Sequence, residues 1–172
     1  MPTLTAITAQ AHHDTPLGRV LLARTDTGLA GLWFEGQKWH PEPFAAPERP
    51  DDPLMCEAAA QLTAYFAGQR TGFELPLALQ GSAFQRSVWA ALCEIACGQT
   101  QTYTDVARRI GAPAAVRAVG AAIGRNPLCV IVPCHRVVGS SGQLTGYAGG
   151  LARKRALLDL EATHAARVLE AV

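Results

Sequence analysis

Asn126-Pro127-Leu128-Cys129-Val130-Ile131-Val132-Pro133-Cys134-His135-Arg136-Val137 is the stretch whose residue types can do chemistry. The apolar run from Cys129 to Val132 predicts a short buried strand, closed by Pro133. Proline fixes its own backbone and restricts the residue before it, so Cys134 is expected at a rigid exit from that strand. Rigidity matters for a nucleophile, because a displacement of about 1 Å can lower a rate about a hundredfold. The thiolate is the reactive form of cysteine, and positive charge on His135 and Arg136 would favour it. The competing reading is a structural cysteine packed in a core, which is common for this residue type.

A chain of 172 residues makes one or two small domains and buries a core without covalent staples. It opens with no basic-then-apolar leader, and no apolar run reaches the ~18 residues of a membrane span. With an odd count of five cysteines, the expectation is a soluble, cytoplasmic protein whose cysteines are thiols. Neither Cys93/Cys97 nor Cys129/Cys134 has the spacing of a zinc site, so no metal is expected. Cys93 and Cys97, one helical turn apart, are read as helix packing.

The formal net charge of +1 conceals a division. Residues 1–81 carry −4 and residues 82–172 carry +5. Between residues 100 and 155 lie eight basic side chains, seven of them arginine, against the single acid Asp105. That excess is an electrostatic footprint for a polyanion or else a solvated face, and arginine suits phosphate and base stacking.

The elements that must position these groups can be read in order. Residues 4–11, 19–24 and 29–34 predict an antiparallel meander with turns at Thr15-Pro16-Leu17-Gly18 and Asp26-Thr27-Gly28. The proline-rich stretch from Gly36 to Pro53 reads as a surface loop in which Trp39 and His40 are anchors. Asp52 caps a helix that starts at Pro53 and ends at Gly68. Phe73, Leu75, Leu77 and Leu79 alternate as a strand would and join the two halves. The N-terminal half gathers no chemical groups and reads as scaffold.

In the second half, Ser82-Ala83-Phe84-Gln85 is a capping box, and the helix behind it closes at Gly98. Thr104 is expected to cap a short helix through Ile110, and Ala112-Pro113 to start another through about Ile123. Two short helices across Gly-Ala-Pro have the layout of a helix-turn-helix. The second is nearly bare of long side chains except Arg117. Such a surface permits close approach to a ligand, or else it packs tightly in a core. Glycine-rich segments at residues 139–142 and 146–150 flank Tyr147, and the last helix begins near Leu151. Glu161 shares the inward face of Leu157 and Leu158. A carboxylate there needs a partner, and an imidazole is one; a solvent-facing glutamate is the alternative.

From Phe84 to Glu161 the chain resembles the methylated-DNA–protein-cysteine methyltransferases, which repair O6-alkylguanine in DNA. The resemblance is carried by Tyr103, Arg117-Ala118-Val119-Gly120, Arg125-Asn126-Pro127, Ile131 to Val137, Gly146-Tyr147-Ala148-Gly149-Gly150, and Leu157-Leu158 with Glu161. It implies an α+β fold, with an N-terminal RNase-H-like domain over residues 1–81. A C-terminal winged helix-turn-helix-like alkyltransferase domain would span residues 82–172. It implies that Cys134 is the acceptor of the alkyl group, that His135 takes its proton through a water, and that Glu161 orients His135. Tyr103 would donate to the guanine ring, and Asn126 would tie the helix-turn-helix to the active-site strand. The N–H of Ala148 would serve the O6 side, while the carbonyls of Cys134 and Val137 would read the exocyclic amine. Arg117 would fill the hole left by a flipped base. Ala118, Arg125, Arg136, Tyr147 and Gly149 complete the implied DNA and base contacts, with the bare helix in the minor groove.

The implied partner is double-stranded DNA carrying O6-alkylguanine, with O4-alkylthymine a second candidate lesion. The implied protein is a nucleoid-associated monomer without cofactor, and cooperative assembly on DNA is left open. The acceptor is consumed, one alkyl group per molecule. The zinc ligands of some animal members have no counterpart in residues 1–40. Cys129 is expected to be a core residue; a second alkylation site is the lesser alternative. Two rivals stand beside this reading: a cysteine hydrolase that turns over on Cys134, His135 and Glu161, and a DNA-binding regulator without catalysis.

Overall fold

Three apolar runs joined by two-residue turns leave little choice but an antiparallel sheet. In the computed structural model, which describes residues 6–171, the sheet has the order β1 (Ala9–Thr15), β2 (Gly18–Thr25), β3 (Gly28–Phe34). Both expected turns form, but β1 begins at Ala9 and extends to Thr15; residues 4 and 5 of the expected strand lie outside the described residues. Alternation sets the two faces. Val20 and Leu22 join the main core, whereas Leu21 and Ala23 meet Trp33, Ile7 and Phe44 on the other side. A bulge lets Ala23 pair with Gly31 while Arg24 pairs with Leu29, so Ala30 is the extra residue and both Leu29 and Leu32 reach the main core.

Helix α1 (Pro53–Phe66) starts as expected, with the Asp52 carboxylate accepting from Leu54 and Met55 and Pro53 in the first turn. It packs on β1 and β2 through Met55, Ala58, Leu62 and Tyr65. Residues 73–79 are not a strand. Pro76 has no N–H to give to a ladder, so the segment makes one bridge to β3: the Leu29 N–H donates to Pro76 O, and the Ala78 N–H to Leu29 O.

The second half begins with α2 (Ala83–Cys93), whose Ser82–Gln85 capping box is present on both sides. The helix ends at Cys93, not at Gly98, so Cys93 and Cys97 do not share it. After the two-residue β4 (Gln101–Thr102) comes α3 (Tyr103–Arg109). Its cap is Thr102 and not Thr104: Asp105 accepts from the Thr102 N–H, a reciprocal bond that Thr104 cannot have with it. Helix α4 runs Val116–Gly124, later than expected. Ala112-Pro113-Ala114-Ala115 instead form the turn, with the Ala115 N–H donating to Ala112 O. Val119, Ala122 and Ile123 bury against α2, where the Trp89 indole N–H donates to Ala122 O at 2.9 Å.

Residues 129–132 are a turn, not a strand. The Val132 N–H donates to Leu128 O and the Ile131 N–H to Cys129 O, with Val130 at φ 71°. A one-turn 3-10 helix (Cys134–Arg136) follows, then β5 (Val137–Val138), which pairs parallel with β4. Helix α5 (Leu151–Glu170) closes the fold with Lys154, Leu157 and Glu161 buried along one face. Among the described residues no helix is long and apolar enough to cross a membrane.

The Ser82 cap holds α2 at the head of the second half. Ser82→Ala is expected to lower stability by about 1 kcal/mol, read as a lower urea midpoint with an unchanged slope.

Candidate functional site

The edge of β3 not taken by β2 holds the reactive turn. The Leu32 N–H donates to Pro127 O at 2.8 Å, and the Cys129 N–H donates to Leu32 O at 3.1 Å. Asn126 does the rest from inside. Its Nδ2 donates to Val132 O at 2.9 Å and Leu128 O at 3.4 Å, and its Oδ1 accepts the Leu128 N–H at 2.9 Å. The same amide nitrogen lies 3.1 Å from Cys134 Sγ. One buried asparagine thus ties the end of α4 to the turn and to the sulfur.

Cys134 is 3% exposed. Its thiol is held below the ordinary range, first by a hydrogen bond from the Cys129 side chain. The Asn126 amide and the positive charge of Lys154 add to this, against burial, which alone would raise it. Lys154 is buried and donates through Nζ to the carbonyls of Val137 and Thr145. Desolvation brings its pKa down to about 8, so it is charged at neutral pH.

His135 is fully buried, and its Nε2 is 2.8 Å from Glu161 Oε1. A carboxylate accepts only, so Nε2 carries the proton and Nδ1 is the basic nitrogen. Nδ1 has no hydrogen-bond partner among the described residues. Burial holds the imidazole below its usual pKa despite the opposing pull of Glu161, which keeps the ring neutral and able to accept a proton.

Glu161 is itself 1% exposed and receives four donors. Besides His135 these are the Arg136 guanidinium at 2.9 and 2.8 Å, the Tyr65 hydroxyl at 2.6 Å and the Gly98 N–H at 3.4 Å. Burial alone would raise its carboxyl, but the hydrogen bonds from His135, Arg136 and Tyr65 outweigh that and hold it well below the usual range.

Other expected residues meet around an open groove of about 390 Å³ lined by Lys38, Trp39, Tyr103, Gly120, Gly124 and residues 145–148. The Tyr103 hydroxyl stands at its edge and donates to Thr145 O at 3.1 Å. Tyr147 lines the groove and also lies beside both Cys129 and Cys134; burial, then the charge that would develop on those sulfurs, pushes its phenol up and keeps it protonated. The Ala148 carbonyl accepts the Lys38 N–H, and the Gly149 carbonyl accepts from Arg153. Cys134 O accepts the Val137 N–H, and Val137 O takes Lys154, so each of these carbonyls keeps only a second lone pair for a base.

On α4, Arg117, Ala118 and Ala121 are exposed, and so is Arg125 at its C-cap. Ala118 and Ala121 therefore form a surface, while Ala122 packs inside. Arg136, implied as a DNA contact, is instead buried. Its guanidinium is turned inward onto Glu161 and Ile95 O. The Val137 side chain is buried in the core, which leaves the expectation for its carbonyl as it was.

Three participants escaped the sequence. Tyr65 sat on an apolar helical stripe, where the buried hydroxyl was the clue. Lys154 stands three residues before Leu157 and seven before Glu161, on the same buried face. Trp39 is 48% exposed, and the Arg125 guanidinium stacks 3.5 Å from its ring centre. No group of acidic, cysteine or histidine side chains among the described residues could hold a metal ion.

Residues 9–79 match the family model for the 6-O-methylguanine DNA methyltransferase ribonuclease-like domain, and residues 83–163 match the model for its DNA binding domain. A methylated-DNA–protein-cysteine methyltransferase of Mycolicibacterium paratuberculosis is 49% identical over 151 residues, covering 88% of this chain and 90% of the relative. One from Methanosarcina barkeri is 50% identical over 149 residues, covering 86% and 93%. A crystal structure of Mycobacterium tuberculosis OGT in complex with DNA superposes with a TM-score of 0.83 at 46% identity, covering 91% of this chain and 94% of that one. With both halves matched in order and the cysteine, histidine, asparagine and glutamate gathered at one buried site, the chain belongs to the 6-O-methylguanine DNA methyltransferase family.

Proposed function

We propose that this protein repairs alkylated DNA by direct reversal, moving the alkyl group from O6 of guanine to the sulfur of Cys134. The observation that carries this reading is the Asn126 amide 3.1 Å from Cys134 Sγ, next to the 2.8 Å pair of His135 and Glu161. Nucleophile, base and orienter are the three parts of an activated-nucleophile site.

The thiol proton passes through a water to His135 Nδ1, the ring nitrogen not committed to Glu161. The thiolate attacks the carbon on O6: the S–C bond forms as the C–O6 bond breaks. The electron pair goes to the guanine, where the Tyr103 hydroxyl offers a proton so that the base departs neutral. The product on the protein is a thioether, which water does not hydrolyse, so each molecule acts once. O6 points into the duplex, and a sulfur only 3% exposed is reached only by a base swung out of the stack.

DNA is met by α4. Its exposed small residues suit a minor groove, where slender surfaces approach the backbone closely. Arg117 enters the stack in place of the flipped base, while Arg125 contacts the strand beside it. The substrate is duplex DNA with O6-alkylguanine, O4-alkylthymine being the finer alternative. The protein works as a monomer of two domains, residues 1–81 and 82–172.

Exposure to an excess of O6-methylguanine oligonucleotide is expected to add one methylene mass to the Cys134 peptide, once per molecule, and nothing to a Cys134→Ser variant. Continued turnover with unmodified Cys134 would point to a hydrolase instead. Arg117→Ala should slow repair of duplex DNA roughly tenfold or more in single-turnover assays, since extruding a base takes a few kcal/mol, with undamaged-duplex binding much less affected. Glu161→Gln leaves Arg136 as an uncompensated buried charge; a loss of about 3–5 kcal/mol in urea unfolding is expected, with transfer slowed in whatever remains folded.

A further inference from the structure

The glycine-rich loop at residues 146–150 walls the groove, and three consecutive carbonyls in it are each hydrogen-bonded. Tyr147 O accepts the Gly150 N–H at 2.9 Å, and Ala148 O accepts the Lys38 N–H at 3.0 Å. Gly149 O accepts from Nη1 of Arg153 at 3.0 Å. A trans peptide points its N–H opposite its own carbonyl, so holding Tyr147 O also sets the direction of the Ala148 N–H. That N–H donates to no acceptor among the described residues, and Ala148 lines the groove.

Only one of these three bonds comes from a side chain. Arg153, in the first turn of α5, spans the loop and the N-terminal sheet. Its Nε donates to Leu17 O at 2.8 Å, and its guanidinium carbon lies 4.6 Å from the centre of the Phe34 ring. The receiving turn is itself fixed. The Leu17 N–H donates to the Thr15 hydroxyl at 3.2 Å, and that hydroxyl donates to Gly18 O at 2.6 Å. Gly18, at φ 117°, leaves the guanidinium room, since a Cβ there would stand 3.1 Å from Nη2. Among the described residues no carboxylate pairs with Arg153; its partners are two carbonyls and a ring. A planar fork that joins two chain segments in this way fixes geometry more than it balances charge.

We infer that Arg153 is a positioning residue for the alkyl transfer: it ties Gly149 to the turn between β1 and β2 and so aims the Ala148 N–H at O6 of the bound guanine. The inference rests on the function proposed above. The N–H keeps its proton and donates a hydrogen bond to O6 as the electron pair of the breaking C–O6 bond gathers on the base. A donor fixed where charge develops needs no reorganisation, and removing one lowers a rate about 10²–10³-fold. Glycine at 146, 149 and 150 gives the loop little stiffness of its own, so the tie has to come from outside it.

The test is single-turnover transfer from an O6-methylguanine oligonucleotide to Cys134 in the full chain. Arg153→Met keeps a long side chain against Phe34 but has no donor. Because it loosens the Ala148 N–H without removing it, the rate constant at saturating DNA is expected to fall about tenfold, with half-saturation by DNA unchanged. Alkylation by iodomethane, read on the Cys134 peptide, needs no donor to O6 and should keep its wild-type rate. Arg153→Lys, whose single ammonium lacks the fork, should fall between the methionine variant and wild type. A methionine variant that melts at lower temperature yet transfers at the wild-type rate would reduce Arg153 to packing and overturn the inference. Slowing of iodomethane in step with transfer would overturn it too, since the sulfur itself would then have moved. Should the methionine variant fail to fold, the lysine variant decides alone, a wild-type rate constant counting against the role. Absence of any thioether on wild-type Cys134 would instead sink the functional reading itself.

Discussion

A single buried carboxylate organises the interior. Glu161 accepts from His135, Arg136, Tyr65 and the Gly98 backbone, groups drawn from the reactive 3-10 helix, from α1 and from the loop after α2. An isolated carboxylate in such a place would be strongly unfavourable, and the permanent charge of Arg136 is what makes it tolerable. That pairing also sets the chemistry of its neighbour. Because Arg136 already neutralises Glu161, the imidazole need not be charged to satisfy the site, and desolvation keeps it neutral. Glu161 therefore fixes the tautomer and direction of His135 more than it draws a proton onto it. Stabilising the negative sulfur falls to other groups, namely the Asn126 amide, the second sulfur and the distant charge of Lys154.

The N-terminal half does more than carry its partner. The edge of β3 hydrogen-bonds the turn on both sides of Leu128, α1 sends Tyr65 to Glu161, and the loop after β3 brings Gln37 to Cys129 and Trp39 to Arg125. Reading that half as scaffold was therefore incomplete. The acidic excess of residues 1–81 and the basic excess of the rest still describe a division of labour. The exposed arginines of α4 belong to the second half, while the first half holds the reactive turn from behind.

What the sequence made legible was local. Asp52-Pro53, Ser82 with Gln85, and the two hairpin turns carry their own hydrogen-bonding instructions, and they formed as read. The failures have one cause each. The apolar, β-branched run at 129–132 looks like a strand, but Asn126 takes the carbonyls of Leu128 and Val132 with its own amide and folds the run into a turn. Pro76 breaks an alternation that otherwise fits a strand. Thr102 displaces Thr104 because Asp105 sits at the third helical position only from the former. Arg136, adjacent to the nucleophile, looked like a DNA contact; its partner Glu161 is 25 residues away and invisible to any local rule.

The tightness of the site follows from what the acceptor has to do. A thiolate at 3% exposure has little water to stabilise it, so every stabilising donor must be built in, and several are. A turnover enzyme with so enclosed a nucleophile would have to release its product through the same narrow approach. A protein whose sulfur keeps the transferred group has only the restored base to give back. Rigidity that would hinder repeated catalysis is here without penalty. Asparagine, proline and a strained valine can hold the sulfur in one place for a single event.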